Sequence, residues 1–208
     1  MKNIKRNVII IGILILLFMI ILALVINNQT GNFDKAVSNI IVNNISASFA
    51  NAFEFLTVTG GPKILPIIVI TTIIIFAIKK EKYYSLCIAL TMILSSGSYI
   101  ILKNIIQRAR PEDIRFITET GFSFPSGHST NNMAFCGILI YFAYHNIKNK
   151  YIRAFVIALL GAWTLITGMI RIYFGVHYAS DVMAGFTLGL ICIFIGITAF
   201  SKKLKFTD

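Results

Sequence analysis

Six long stretches of apolar residues divide this chain, and they constrain its fold more than any other feature. Stretches of about 17 to 25 apolar residues cross a bilayer as helices, because a helix pairs its backbone polar groups internally. The chain is 57% hydrophobic and 13% charged, with a mean hydropathy of +0.81, whereas a soluble domain is about half apolar and about a quarter charged. The sequence therefore predicts an all-α integral membrane protein with a bundle of six transmembrane helices. The six stretches are 8–26, 64–78, 83–102, 128–147, 154–170 and 182–200.

The first two stretches need separate interpretation. The first follows a basic N-terminus, as in a signal peptide, but its apolar core is long and no small-residue cleavage site follows Ile26. We interpret it as the first span. The second lies between Lys63 and Lys79 and is short, so either it gains length from the residues before Lys63 or the two lysines extend toward the headgroups. Because the connections are short, residues 1–208 are expected to form a single membrane domain.

Basic residues are distributed unevenly between the two ends of these spans. The formal net charge is +11, which in a soluble protein would suggest nucleic acid as a partner. If the N-terminus is cytoplasmic, twelve of the 19 Lys and Arg residues lie at cytoplasmic ends. By the positive-inside rule this bias predicts a multi-pass protein of the cell membrane with both termini in the cytoplasm. Membrane topology therefore explains the excess of basic residues, and we predict no nucleic-acid partner.

The connection between the first two spans has apolar residues at helical spacing over residues 33–56, separated by Asn and Ser. This stripe predicts an extracytoplasmic amphipathic helical segment. Two placements are open at this point. The segment can lie in the outer interface with its apolar side in the acyl boundary, or it can pack on the bundle.

Three polar stretches lie at the outer ends of the spans. Residues 103–111 end the third span, residues 125–128 open the fourth, and residues 171–181 connect the fifth to the sixth. Antiparallel spans alternate in direction, so the exits of odd-numbered spans share one surface with the entries of even-numbered spans. We therefore expect the three stretches to form one site at the outer face of the membrane.

The residue types in these stretches suit a phosphate group. Lys103, Arg110 and Arg171 offer a point charge and two planar forks of donors to several oxygens. Ser126 adds a hydroxyl, and Gly127 allows close approach of the backbone at a helix N-terminus, where anions bind. These five residues are the candidate phosphate-binding residues.

Two histidines and one aspartate complete the candidate site. If the chain is helical from His177 onward, His177 and Asp181 lie on one face, so the carboxylate can hold one ring nitrogen as N–H and leave the other free to attack. His177 therefore suits a nucleophile and His128 a general acid. Taken singly, each residue also has a structural interpretation, such as an interfacial ion pair or, for Ser126, a helix cap.

No cofactor or metal is predicted, because the cations can supply the electrostatic stabilisation that Mg²⁺ provides elsewhere. Glu112, Asp113 and Glu119 are spaced too loosely for a two-metal site. They are expected in a solvated loop or as partners of Arg108 and Arg115. The three cysteines fall singly within predicted spans and are expected to pack as small apolar side chains.

The three stretches together resemble the signature of the type 2 phosphatidic acid phosphatase superfamily, which also includes the vanadium haloperoxidases. That signature runs Lys-x6-Arg-Pro, then Pro-Ser-Gly-His, then Ser-Arg-x5-His-x3-Asp. The chain departs from it at Ile170, where the family usually has serine, so one minor phosphate contact is missing or is supplied differently. The matching residues are Lys103, Arg110 and Pro111, then Pro125, Ser126, Gly127 and His128, then Arg171, His177 and Asp181.

The resemblance implies a six-span helical bundle, as in bacterial membrane members of the family, and a two-step reaction. His177, oriented by Asp181, would form a phosphohistidine, His128 would protonate the leaving group, and water would then release phosphate. The residues implied to hold the phosphoryl oxygens are Lys103, Arg110, Ser126, Gly127 and Arg171.

We therefore expect a membrane lipid phosphatase that hydrolyses a phosphomonoester or diphosphate of a lipid. Undecaprenyl diphosphate and phosphatidylglycerophosphate are the lipids that the resemblance favours. Three alternatives remain: a lipid phosphotransferase with the same intermediate, a transporter or binding protein that uses the cations without cleavage, and, least favoured, a hydrolase of soluble phosphates. The pair of histidines favours an enzyme, because binding alone does not require them. The oligomeric state is left open.

Overall fold

A computed structural model of the chain describes residues 2–112, 117 and 119–204. All regular secondary structure in these residues is helical, as the apolar stretches predict. Asp113 and Arg115, which the sequence suggested as loop residues, lie outside the described residues. The helices are α1 (Lys2–Ile26), α2 (Gly31–Asn44), α3 (Ala50–Thr59), α4 (Leu65–Ile78), α5 (Lys82–Ile106), α6 (Gly127–Asn146), α7 (Lys150–Tyr173) and α8 (Ala179–Phe200), with a 3-10 turn at Ala47–Phe49.

Four of the described helices, α1, α5, α7 and α8, are long and apolar enough to cross a membrane. Helix α4 is apolar but has only 14 residues. Helix α6 has 20 residues, and its first turns carry the polar side chains of His128, Ser129, Thr130 and Asn132. The predicted all-helical membrane fold is confirmed, whereas the count of six spans stays a prediction for α4 and α6.

Helix α8 lies at the centre of the bundle. In the apolar 18-residue stretch of α8, 61% is buried inside the protein, whereas only 17% of the corresponding stretch of α1 is buried. Helix α8 packs against α1, α5 and α6, and α6 also packs against α5 and α7. Helix α7 also contacts α8, so α8 touches four of the long helices.

Two glycines of α8 bring α6 unusually close. A Cβ atom at Gly185 would lie 2.8 Å from the backbone oxygen of Ser126, and one at Gly189 would lie 2.7 Å from that of Thr130. Side chains at these positions would separate the two helices. The close contact places the beginning of α6 beside the beginning of α8, and both carry candidate site residues.

The segment between α1 and α4 forms two helices that pack on the bundle. The chain leaves helical geometry at Ile45, which has φ −108° and ψ 118°. Before this break, Val37 and Ile41 contact the apolar residues at the end of α7 and the start of α8. After it, the ring of Phe53 lies edge-on to Tyr173, with centroids 5.2 Å apart. The predicted amphipathic segment is therefore helical but broken, and of its two placements the structure has the one on the bundle.

Candidate active site

The structure brings the three polar stretches together at one end of the bundle. Lys103 lies in the last turn of α5, Arg171 lies in the last turn of α7, and Asp181 lies in the first turn of α8. The backbone N–H of Ser126, at the start of α6, donates to the backbone oxygen of Asp181 at 3.1 Å. The second and third stretches are thus joined directly through their backbones.

The side chain of His177 is buried and lies beside the carboxylate of Asp181. Its Nδ1 atom is 3.5 Å from Asp181 Oδ2 and 3.3 Å from the Oγ atom of Ser123. Ser123 donates a hydrogen bond to Asp181 Oδ2, so its oxygen has a lone pair for an Nδ1–H of His177. The backbone N–H of Tyr178 also donates to Asp181 Oδ2, at 2.9 Å. In this arrangement the Nε2 atom of His177 carries the in-plane lone pair of the ring.

The electrostatics of the site keep His177 neutral near pH 7. Burial is the main cause, and it lowers the pKa of His177 to about 4. Asp181 opposes this shift, while the cations Arg171 and Arg110 add to it. A neutral imidazole is the form that can act as a nucleophile.

Arg110 lies against His177 and is held by backbone oxygens. Its Nη1 atom donates to the oxygen of Val176 at 2.8 Å and lies 3.4 Å from His177 Nε2. Its Nε and Nη2 atoms donate to the oxygens of Gly121 at 3.0 Å and Thr120 at 3.1 Å. The loop after α5 therefore wraps around the guanidinium group and directs it toward His177.

Arg171 is the largest fully buried side chain among the described residues, with 1% of its surface exposed. Its Nη1 atom donates to Thr57 Oγ1 at 2.7 Å, and its Nη2 atom forms an ion pair with Glu119. Its Nε atom has no hydrogen-bond partner in the structure. A buried donor of a charged group is costly to leave unpaired.

Glu119 places a carboxylate among these cations. It pairs with Arg171 and also lies 3.3 Å from Arg110 Nη2. Burial alone would raise the pKa of Glu119, but the charge and hydrogen bond of Arg171 outweigh burial, and the pKa lies below its ordinary value. The sequence suggested a solvated residue or a partner of Arg108 or Arg115 here. Instead, the structure shows the carboxylate in contact with the predicted phosphate-binding arginines.

Ser126 and Gly127 begin α6 in a closely packed setting. Ser126 is the N-cap, and its Oγ atom accepts hydrogen bonds from the N–H of Ser129 at 3.4 Å and from its hydroxyl at 2.9 Å. A Cβ atom at Gly127 would lie 2.8 Å from the ring of Tyr99. The structural interpretation of Ser126 as a cap therefore holds, and the phosphate contacts of both residues stay predictions.

His128 and His177 line the same cavity of about 710 Å³, together with Lys103 and Glu119. The ring of His128 forms a hydrogen bond with the backbone of Thr57. Lys103 donates to the backbone oxygen of Phe122 at 2.9 Å. The cavity thus places two imidazoles and two lysines, Lys63 and Lys103, around one space.

A second cavity, of about 950 Å³, also reaches His177 and is lined by Arg108, Arg110 and Tyr178. Ile170, at the position where the family signature has serine, is fully buried among the apolar side chains of Phe53 and Tyr173. It therefore offers packing and no polar contact.

Within the described residues, no group of three His, Cys, Asp or Glu side chains could hold a metal ion.

Comparison with known proteins identifies the family. A sequence model described as the PAP2 superfamily matches residues 83–205. The chain belongs to the PAP2 superfamily. The resemblance carried by the three motifs is therefore confirmed.

Relatives in the PAP2 superfamily include named phosphatases. The chain is 32% identical to phosphatidylglycerophosphatase B of Bacillus subtilis (strain 168) over 204 residues, which is 92% of this chain and 95% of that protein. It is 36% identical to a lipid A 1-phosphatase of Rhizobium etli over 109 residues, which is 48% of this chain and 43% of that protein.

Solved structures show the same fold. A transmembrane PAP2 type phosphatidylglycerolphosphate phosphatase from Bacillus subtilis superposes with a TM-score of 0.82 at 27% identity, over 94% of this chain and 97% of that chain. Aquifex aeolicus LpxE superposes with a TM-score of 0.64 at 24% identity, over 78% and 93% of the two chains. At that identity, the second likeness concerns the fold alone.

Sequence reasoning missed several residues that contact this PAP2 site. Asp34 lies on the same helical face as Val37 and Ile41, and an acid on an apolar stripe is a signal that could have been used. Arg108, two residues before Arg110, was expected only as a partner of the acids in the loop after the third span. No spacing rule marked the others. The missed residues are Asp34, Thr57, Arg108, Glu119 and Ser123.

Proposed function

We propose that this protein is a membrane phosphatase that hydrolyses a phosphomonoester or diphosphate of a lipid at the outer face of the membrane. The observation that carries the proposal is the shared cavity, in which His128 and His177 lie with Lys103 at one end of an apolar passage. Named phosphatases among the relatives support the same reaction class.

In the proposed reaction, the Nε2 lone pair of His177 attacks phosphorus, and the bond from phosphorus to the leaving oxygen breaks. Protonated His128 gives its proton to that oxygen. Water then attacks the phosphohistidine and loses a proton to His128. The P–N bond breaks, phosphate leaves, and His177 returns to its neutral state. Asp181 holds the ring of His177 through both steps.

The proposed binding site for the phosphoryl oxygens consists of cations and backbone donors. Arg110 and Arg171 are buried and held from several sides, so they need little rearrangement when charge develops on the oxygens. Lys103 lines the same cavity. Ser126 and Gly127 add the start of α6, where the helix dipole favours an anion.

The apolar part of the cavity suits a lipid tail. Beyond the histidines it continues between α4 and α5, past Leu65, Val69, Met92 and Tyr99. A substrate can therefore keep its tail among these side chains and in the surrounding lipid while its phosphate reaches the cations. Phosphatidylglycerophosphate is the substrate class that the Bacillus relatives favour, and undecaprenyl diphosphate is the second candidate.

The proposed topology has six spans, α1, α4, α5, α6, α7 and α8, with both termini in the cytoplasm. It can be tested with cysteine variants, since the three native cysteines are buried. Phe55 and Lys80 are both exposed and lie at opposite ends of the predicted bundle. A membrane-impermeant thiol reagent added to intact cells should label F55C and not K80C. Labelling in the reverse pattern would overturn the orientation.

The function itself is tested by phosphate release from purified protein in detergent micelles. The panel contains phosphatidylglycerophosphate, undecaprenyl diphosphate, phosphatidic acid and a short-chain analogue, with His177→Ala as the control. We expect stoichiometric phosphate from at least one long-chain lipid and none from the variant. Transfer of the phosphate to a second lipid would identify a phosphotransferase. Tight binding without cleavage would identify a binding protein, and equal activity on the short-chain analogue would contradict lipid selectivity.

A further inference from the structure

Arg108 lies at the centre of a network of side chains next to the proposed site. Its Nη1 atom donates to Asp181 Oδ1 at 2.6 Å and to Ser180 Oγ at 2.8 Å. Its Nη2 atom donates to Asp34 Oδ2 at 2.9 Å and to Thr30 Oγ1 at 3.1 Å. One guanidinium group therefore joins the carboxylate beside His177 to a carboxylate from the segment after α1.

Asp34 is fixed more firmly than a surface acid. Only 2% of its side chain is exposed, compared with 17% for Arg108. Its Oδ1 atom accepts from the backbone N–H of Ser180 at 2.8 Å, and its Oδ2 atom accepts from the Ser180 hydroxyl at 2.9 Å. Asp34 therefore binds both Arg108 and the first turn of α8, the helix that carries Asp181.

The network divides the two oxygens of Asp181 between different tasks. Oδ1 accepts from Arg108, while Oδ2 accepts from Ser123 and Tyr178 and lies beside His177. A buried carboxylate without a partner on Oδ1 would gain by rotating that oxygen toward another donor. Because Arg108 donates to Oδ1, the carboxylate has no reason to rotate, and Oδ2 stays beside His177.

Arg108 in turn needs a second support. A guanidinium group bonded only to Asp181 could swing toward the cavity of about 950 Å³ that it lines. Asp34 holds its other nitrogen, and the ring of Tyr178 covers its face, with the guanidinium carbon 4.0 Å from the ring centroid. The planar fork of arginine fits this geometry, whereas a lysine could reach one carboxylate at a time.

We propose that Asp34 and Arg108 are positioning residues, which hold Asp181 in the orientation that presents His177 to the phosphorus. The inference rests on the proposed function. It also assigns a task to α2, which packs on α7 and α8 and delivers Asp34 to the site. Neither residue is required to touch the substrate, so both act through Asp181.

The test compares Asp34→Asn, Arg108→Gln and Arg108→Lys with the wild type. The matched control is Glu54→Gln, an exposed acid of the same outer segment. We expect Asp34→Asn and Arg108→Gln to lower kcat by up to about 100-fold, since a small misplacement of a catalytic group costs that much. KM should stay within about threefold of the wild-type value, because the two residues orient His177 for its attack on phosphorus and do not bind the substrate. Arg108→Lys should recover little activity, since it restores charge without the fork.

A second readout does not depend on turnover. The chain has three histidines, so ¹⁵N-histidine NMR of the full-length protein can follow the ring of His177, assigned with His177→Ala. We expect the wild type to show the Nδ1–H tautomer, and Asp34→Asn and Arg108→Gln to show a mixture of tautomers while Glu54→Gln does not. Because His128 and His145 are observed at the same time, a general loss of structure would show in their signals as well.

The outcomes separate this inference from the proposed function. If the wild type releases phosphate and His177→Ala does not, but Asp34→Asn keeps kcat within twofold and an unchanged tautomer, the positioning role is wrong and the function stands. A loss confined to KM would also overturn it. If the wild type releases no phosphate, the tautomer comparison still decides whether Asp34 and Arg108 orient His177.

Discussion

The carboxylate of Glu119 forms an ion pair with the guanidinium of Arg171 inside the group of cations next to His177. It also lies 3.3 Å from Arg110 Nη2. An internal carboxylate therefore uses donors that the proposed phosphate needs. The pairing shows that this position accepts an anion, and it predicts that a substrate phosphate competes with Glu119 for the two arginines.

Removal of the Glu119 charge should strengthen the binding of a phosphate-like anion to the two arginines. For Glu119→Gln we expect inhibition by orthovanadate to tighten on the order of tenfold, equivalent to about 1.4 kcal/mol. The amide keeps the size of the side chain but loses its charge. The control is Glu112→Gln. Glu112 belongs to the same loop, but Arg171 forms its ion pair with Glu119 and not with Glu112. Weaker vanadate inhibition of Glu119→Gln would mean that Glu119 supports the cations instead of competing for them.

The two histidines should act as a unit. His177→Ala removes the proposed nucleophile and His128→Ala the proposed proton donor, so each should lower kcat by orders of magnitude. The double variant should be little worse than the poorer single variant, because neither step proceeds without its partner. Initial rates of phosphate release measure this. Multiplicative losses in the double variant would show that the two residues contribute independently.

The pKa of His177 predicts how its protonation depends on pH. Burial lowers this pKa to about 4, below the value of about 6.5 for a free histidine. The unfolded chain therefore binds this proton more readily than the folded protein. Stability contributed by the neutral ring should be complete above about pH 6.5 and decline as the pH falls toward 4. An NMR titration of the His177 resonance should give a midpoint well below 6.5, and a midpoint at or above that value would contradict the burial seen here.

The cations around His177 predict that hydrolysis does not depend on a divalent metal. Arg110, Arg171 and Lys103 can neutralise the phosphoryl oxygens themselves. EDTA should leave phosphate release unchanged, and orthovanadate, which imitates five-coordinate phosphorus, should inhibit it. Phosphate release in EDTA, with and without added Mg²⁺, is the measurement. Activity lost in EDTA and restored by Mg²⁺ would count against the cationic site.

Much of the site could be predicted because its motifs lie at the ends of spans. Alternation of span direction placed residues 103–111, 125–128 and 171–181 on one surface, and the structure brings them together. The spacing of His177 and Asp181 also predicted their proximity. It did not reveal Ser123, whose hydroxyl contacts both from 54 and 58 residues away in the chain.

The sequence by itself determined an all-helical membrane protein of the PAP2 superfamily and the residue types of its site, because apolar periodicity and motif order are local properties of the chain. Only the tertiary structure decided which carboxylate meets which guanidinium. Arg108 pairs with Asp34, 74 residues away, and Arg171 with Glu119, 52 residues away. Such pairings depend on how α2 and the loop after α5 fold back over α7 and α8, and no local pattern encodes that distance.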